Sequence, residues 1–338
     1  MVGRVLKKLL TFCLPFVFAL ALFVAFEPNN YWLLRADDDI WYMSKALNST
    51  RRLQSGECEN IILGNSLMAN MNERYIEETS GIDFDVLAYG GATLNESIDE
   101  FWYAAEYCNL KRVVIGTNFY TMNNEMYQKQ RYPDTIELAQ QPLEFVGDFN
   151  YWQDAAKNLL IKLSALIARV TKTEPVVPPM ENPSEAGVND SIDAFAVYDA
   201  DGERQDIREY TDLIKSTCAD YRMGWDYIDK LTEVADYCEE NGIELTIVLF
   251  GSNHAMWENV ILPMGIDSYI NVYKDALKSV ATVYDFEFLN DTAYNDNVFL
   301  DGMHRTTAEK QRICRVIFAG EADADCMVTT KEEYLESK

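Results

Sequence analysis

Histidine is scarce in this chain: His254 and His304 are the two imidazoles among 338 residues, so a reaction needing a base that titrates near neutrality has two candidates. His304 closes the stretch Asp301-Gly302-Met303-His304. Across a turn, that spacing lets the carboxylate hold one ring nitrogen while the other takes a proton. The competing reading is structural, with Asp301 or Thr306 capping the last helix. Ser66, in Gly64-Asn65-Ser66, is the candidate nucleophile. It follows an apolar run and opens a helix, where a hydroxyl is exposed and backbone N–H groups face a developing oxyanion. An ordinary helix cap accounts for a serine there too. Gly91 and Asn118 fall at the ends of the next two apolar runs. The N–H groups of Ser66 and Gly91 and the side-chain amide of Asn118 can therefore converge on one oxygen, an arrangement suited to acyl transfer.

A strand, loop, helix rhythm must position these groups. Residues 60–64, 85–89 and 111–115 are short apolar runs that read as buried parallel strands. Each ends in small or polar residues, Asn65-Ser66, Gly90-Gly91 and Gly116-Thr117-Asn118, at the edge where open α/β sheets place their sites. Helices are expected over about 66–78, 94–107, 151–170, 207–240, 268–280 and 307–318, with further strands at 243–250 and 286–289. The expected fold is α/β: a three-layer α/β/α sandwich around a five-stranded parallel sheet of the flavodoxin-like kind. Residues from about 121 to 206 interrupt the rhythm as an irregular insert, with Pro175, Pro178, Pro179 and Pro183 marking a surface excursion. Asp199-Ala200-Asp201-Gly202 begins like a calcium loop, but the ligand spacing stops there and a turn is expected. His254 lies just past the fourth strand, either lining the cleft with Asn65 as a substrate-binding residue or serving as a structural histidine. The aromatic residues of 119–124 and Trp257 are placed to stack on a sugar ring or to pack the insert.

In its order of blocks the chain resembles the SGNH/GDSL hydrolase superfamily, over roughly residues 58–120 and 224–320. The first block is Ile61-Ile62-Leu63-Gly64-Asn65-Ser66, the second Gly91-Ala92-Thr93, the third Gly116-Thr117-Asn118 and the last Asp301-Gly302-Met303-His304. The resemblance implies Ser66 as nucleophile, His304 as base, Asp301 as its orienting acid, and Gly91 with Asn118 as oxyanion donors. Asn65 stands where the Gly-Asp-Ser form has Asp, and Phe119 where Asp usually follows the third block's Asn. The layout is also similar to envelope acylation proteins, namely D-alanyl transfer proteins of teichoic acids and polysaccharide O-acetyltransferases, which often work beside a multispanning membrane acyltransferase.

The N-terminus carries an uncharged stretch over residues 9–26, preceded by Arg4, Lys7 and Lys8. At about 1.5 Å per helical residue it reaches roughly 27 Å, the thickness of a bilayer core. The expectation is an uncleaved transmembrane anchor over 1–30 with a cytoplasmic N-terminus, followed by an extracytoplasmic domain over 31–338. A cleaved secretory signal is the alternative, since Ala19-Leu20-Ala21 offers small residues at cleavage spacing.

The formal charge is -26, and a composition of 48% hydrophobic and 25% charged residues can bury a full core. Such acidity argues against nucleic acid as a partner. Without residues 1–30 the charge becomes -28 and six cysteines remain: Cys58, Cys108, Cys218, Cys238, Cys314 and Cys326. Cys58 and Cys108, each shortly before a strand, are placed to bridge if those strands are neighbours. No cysteine or histidine cluster suggests zinc, and no cofactor is expected. Asn48, Asn95, Asn189 and Asn290 begin glycosylation sequons, relevant where the source glycosylates. The combined expectation is a membrane-anchored serine esterase or acyltransferase acting on O-acyl groups of an envelope glycan or another acylated surface substrate. The alternative is a non-catalytic envelope protein that binds glycan or partners a membrane acyltransferase.

Overall fold

The computed structural model describes residues 2–34, 44–69, 71–124, 132–173 and 196–338, with the backbone alone for residues 2–7, 9 and 10. The prolines from Pro175 to Pro183 and the sequon at Asn189 lie outside the described residues. The chain divides into two compact units, Leu53–Tyr132 with Asn182–Lys338, and Met1–Arg52 with Pro133–Glu181. In chain order the helices are α1 (Val2–Phe26), α2 (Lys45–Ser55), α3 (Ser66–Ala69), α4 (Glu73–Ser80), α5 (Leu94–Tyr107), α6 (Tyr132–Gln140), α7 (Pro142–Gly147), α8 (Phe149–Thr171), α9 (Gln205–Thr217), α10 (Trp225–Asn241), α11 (His254–Met256), α12 (Ile266–Lys278), α13 (Thr307–Ala319) and α14 (Lys331–Glu336).

The larger unit holds the sheet. Its strands are β1 (Asn60–Leu63), β2 (Asp85–Val86), β3 (Arg112–Thr117), β4 (Glu244–Leu249), β5 (Thr282–Asp285) and β6 (Met327–Thr329). They lie in the order β2-β1-β3-β4-β5-β6, parallel except for β6, which runs antiparallel to β5. The expectation of a five-stranded parallel sheet is thus corrected to a mixed sheet of six strands among the described residues. The sixth escaped notice because Met327 and Val328 are about half exposed, so it lacks the buried apolar run that marks the others. Ile61, Ile62 and Leu63 of β1 and Ile247, Val248 and Leu249 of β4 are wholly buried, each such side chain contributing about 1.5–3 kcal/mol.

Strand order reverses at β1. Right-handed crossovers then place α4 on one face and α5, α10 and α12 on the other. The packing agrees, with α4 against α13 and α10 between α5 and α12. The reversal opens a crevice between the carboxyl ends of β1 and β3. Two glycines shape it: a Cβ at Gly116 would lie 2.2 Å from Met68 Cγ, and one at Gly64, whose φ is 145°, would lie 3.1 Å from the Gly116 carbonyl oxygen. Met68 of α3 is thereby seated against both strand ends.

The strand expected over 85–89 is shorter, Asp85–Val86, and three further differences bear on the site. The helix expected over 66–78 is two, because Asn72 starts α4 anew by accepting the Tyr75 N–H at 2.8 Å. The helix expected over 207–240 breaks into α9 and α10, because the Gly224 N–H donates to Met122 O at 2.8 Å and the Asn124 N–H to Arg222 O at 2.8 Å. These bonds tie the break to the loop after β3. The last parallel strand is Thr282–Asp285 rather than 286–289, since Glu287 has left the ladder for the loop after β3.

In the smaller unit the described part of the insert is helical: α6, α7 and α8. Aromatic stacking holds this unit, with Phe23 on Trp152 at 4.4 Å and Tyr31 on Phe145 at 4.2 Å. Asn158 Nδ2 donates to Phe26 O at 2.7 Å and closes the end of α1. Among the described residues no helix is long and apolar enough to cross a membrane. This overturns the expected transmembrane anchor and the single-pass location drawn from it. The last turns of the apolar run are spent on protein packing, with Phe23 buried among Trp32, Phe145 and Trp152.

Candidate active site

Each side chain proposed for chemistry is placed by a local rule. Asn65, not Ser66, caps α3: its Oδ1 accepts the Leu67 N–H at 3.0 Å, and its carbonyl accepts from Met68 and Ala69. That leaves the Ser66 hydroxyl for His304, whose Nε2 lies 2.8 Å from Ser66 Oγ. Thr306, not Asp301, caps α13, accepting the Glu309 N–H. Asp301 instead folds back on its own turn. Its Oδ1 accepts the N–H groups of Met303 and His304, both at 2.8 Å, and its Oδ2 lies 2.7 Å from His304 Nδ1. The network assigns the ring proton to Nδ1, where a carboxylate accepts it, so Nε2 accepts from the serine hydroxyl. Residues 238 apart in sequence thus form one relay.

Burial pushes the Asp301 carboxyl upward, but the charge of His304 and the hydrogen bonds from the ring and two backbone N–H groups outweigh it, and the net shift is downward. Asp301 therefore stays ionised and holds the imidazole by charge as well as geometry. The Tyr210 ring packs edge-on to His304 with centroids 5.6 Å apart.

A cavity of about 200 Å³ opens on this relay. Asn65, Ser66 and Leu67 form one side, Gly91 and Ala92 the next, Tyr210, Leu213 and Ile214 of α9 the far wall, and Tyr120, Met303 and His304 the rest. Gly91 has φ 72°, which only glycine adopts without strain. Asn118 lies at the carboxyl end of β3 but is not part of the lining. It is wholly buried, and its amide is oriented: Oδ1 accepts from the Thr121 N–H at 3.2 Å, leaving Nδ2 without a hydrogen-bond partner.

The structure does not bring His254 to the cavity. It starts α11, stacks on Tyr294 at 5.1 Å, and meets Glu258 at 3.3 Å and Asp296 at 3.8 Å. The wall from α9 is what sequence reasoning missed: Tyr210, Leu213 and Ile214 sit on an ordinary amphipathic helix, and no local signal marks them. Asp199 holds its own turn through the N–H groups of Asp201 and Glu203, both at 3.0 Å, and pairs with Arg208. Among the described residues no three His, Cys, Asp or Glu side chains are grouped to hold a metal. Cys58 and Cys108 are free thiols in mutual hydrogen-bonding contact, which together with burial pushes the Cys58 thiol far up.

No family model and no curated protein matches this chain. Among solved structures, a Bacteroides fragilis protein provisionally described as an acylhydrolase is similar over 82% of this chain and 97% of its own, at 10% identity and a TM-score of 0.38. What the site can do chemically rests on its own side chains: a hydroxyl, an imidazole oriented to accept its proton, and an ionised carboxylate behind it.

Proposed function

We propose that this protein is a serine esterase or O-acyltransferase, with Ser66 as nucleophile, His304 as general base and Asp301 as its orienting acid. The observation that carries the reading is the continuous relay from Ser66 Oγ through both His304 nitrogens to Asp301 Oδ2. Ser66 Oγ attacks the ester carbonyl carbon as its proton passes to His304 Nε2. Collapse of the tetrahedral intermediate breaks the bond to the leaving alcohol, which takes that proton, and an acyl-serine remains. Water or an acceptor hydroxyl then attacks the acyl-serine, again giving its proton to His304. Collapse of this second intermediate breaks the bond from the acyl carbon to Ser66 Oγ, which takes the proton back from His304 as the free acid or the new ester leaves. Gly91 and the unpartnered Asn118 Nδ2 supply the oxyanion donors.

The cavity supports a small acyl group. About 200 Å³, walled by Leu67, Ala92, Ile214 and Met303, suits a short chain. Tyr120 and Tyr210 offer aromatic faces for a sugar ring. A formal charge of -26 repels polyanions, so the acyl donor or acceptor we assign is a neutral O-acylated glycan.

The test is Ser66→Ala, assayed on p-nitrophenyl acetate. A loss of roughly 10⁴-fold or more in turnover is expected, together with labelling of the unaltered protein at Ser66 by a fluorophosphonate. Wild-type turnover in the variant would overturn the reading.

A further inference from the structure

We propose that Glu287 is a positioning residue for the oxyanion side of this site, acting on Asn118 through the backbone of Phe119; the inference rests on the reading above. Glu287 is wholly buried just past β5. Its Oε1 accepts the Phe119 N–H at 2.6 Å, and its Oε2 accepts from the Tyr273 hydroxyl. Its own N–H donates to Asp285 Oδ1 at 2.9 Å. Lys274 Nζ lies 2.9 Å from Asp285 and also donates to the Glu287 carbonyl. A carboxylate is costly to bury, and these partners offset part of the cost.

What this cluster holds is one peptide from Asn118. The turn over 118–122 closes on itself: Thr121 bonds Asn118 through both its N–H and its hydroxyl, and the Met122 N–H donates to Asn118 O at 3.0 Å. Such a turn fixes its own shape but not its place against the sheet. Bonds to its surroundings do that: one from the Phe119 N–H to Glu287, one at 3.0 Å from the Tyr221 hydroxyl to the Phe119 carbonyl, one at 2.8 Å from the Gly224 N–H to Met122 O, and the 2.9 Å contact of Thr121 with the Thr117 hydroxyl at the end of β3. The bond to Glu287 is the one that holds the peptide next to Asn118 by its N–H. An oxyanion donor displaced by about 1 Å loses much of its effect, so the carboxylate that pins Phe119 also sets where Asn118 Nδ2 points. Burial, with a smaller push from Asp285, outweighs the pull of Lys274, Tyr273 and the Phe119 N–H, and the net is a Glu287 carboxyl raised to about 7. The Oε1 that accepts the Phe119 N–H can accept it in either protonation state.

The experiment is a double-mutant cycle on the full chain with p-nitrophenyl acetate. Glu287→Asp keeps the charge beside Lys274 but draws the carboxylate back from Phe119 by one methylene; Glu287→Gln keeps the reach. Glu287→Asp is expected to lower kcat about tenfold with KM within about twofold, and Glu287→Gln to restore kcat to within about threefold. In an Asn118→Ala background the effect of Glu287→Asp shrinks below about twofold, because the group being positioned is gone. The same factor in both backgrounds, an effect on KM alone, or no effect overturns the proposal. If Glu287→Asp fails to fold by circular dichroism, Tyr273→Phe, which frees Glu287 Oε2, is carried through the same cycle and judged the same way. Ser66→Ala runs beside both. Full activity there overturns the reading of the site, whereas an inactive Ser66→Ala with an additive cycle overturns the role of Glu287 alone.

Discussion

The two histidines differ less in exposure than in company. Their side chains retain 18% exposure at His304 and 30% at His254, so both rings are reachable. His304 has a carboxylate at 2.7 Å on one nitrogen and a hydroxyl at 2.8 Å on the other. His254 has acids on both sides, Glu258 at 3.3 Å and Asp296 at 3.8 Å, with its face against Tyr294. One acid and one hydroxyl make a proton relay; two acids make an anchored ring with nothing to activate. On the proposed reading, the partner on the second nitrogen, more than exposure, is what separates a base from a structural imidazole.

The sharpest way to break this comparison is to delete each ring. His304→Ala is expected to lower p-nitrophenyl acetate turnover by about 10⁴-fold or more, whereas His254→Ala leaves it unchanged. Equal losses in the two variants would show that the second nitrogen's partner does not decide the role.

A smaller loss is expected from the acid behind the base. Asp301→Asn preserves shape, but its amide can donate to Nδ1, which drives the ring proton to Nε2 and sets it against the serine hydroxyl. A fall on the order of 10³- to 10⁴-fold in kcat follows, with KM little changed. The matching change at the other ring, Glu258→Gln, should leave turnover as it was. Full turnover in Asp301→Asn would mean that the carboxylate does not set the tautomer.

How legible all this was depended on whether a feature is local. The helix over Leu94–Tyr107 could be read from sequence because Thr93 and Glu96 form a capping box and Leu94, Ile98 and Phe101 form one buried stripe. Ser66, Gly91 and the Asp301–His304 pair were readable for the same reason, as residues at strand ends or within one turn. Tyr210 was not: its relation to His304 exists only once α9 has packed, and its helix carries no unusual pattern. Glu287 was misread as part of a strand, since a lone acid in Phe286-Glu287-Phe288-Leu289 resembles strand alternation. Its partner at Phe119 is 168 residues away. The N-terminal run was read as a membrane span because composition does not show that Phe23 stacks on Trp152.

The smallest expected effect is on stability, and it sharpens how tightly His304 holds its acid. The Asp301 carboxyl is more acidic in the folded chain than its ordinary value, because the pull of His304 and three hydrogen bonds exceeds the upward push of burial. Such a group adds stability that is present above its unfolded pKa, about 3.9, and is lost as pH falls through the lower folded value. Asp301→Asn cannot titrate and serves as the reference. In urea unfolding, the stability of the unaltered protein relative to Asp301→Asn should be greatest near pH 6 and decline as pH falls below about 4. The decline is expected even if the variant is the more stable protein throughout, because the slope, not the sign of the difference, reports the shift. A difference that stays constant over this range would mean that Asp301 is no more acidic folded than unfolded, and that the hold of His304 on its carboxylate is geometric without being electrostatic.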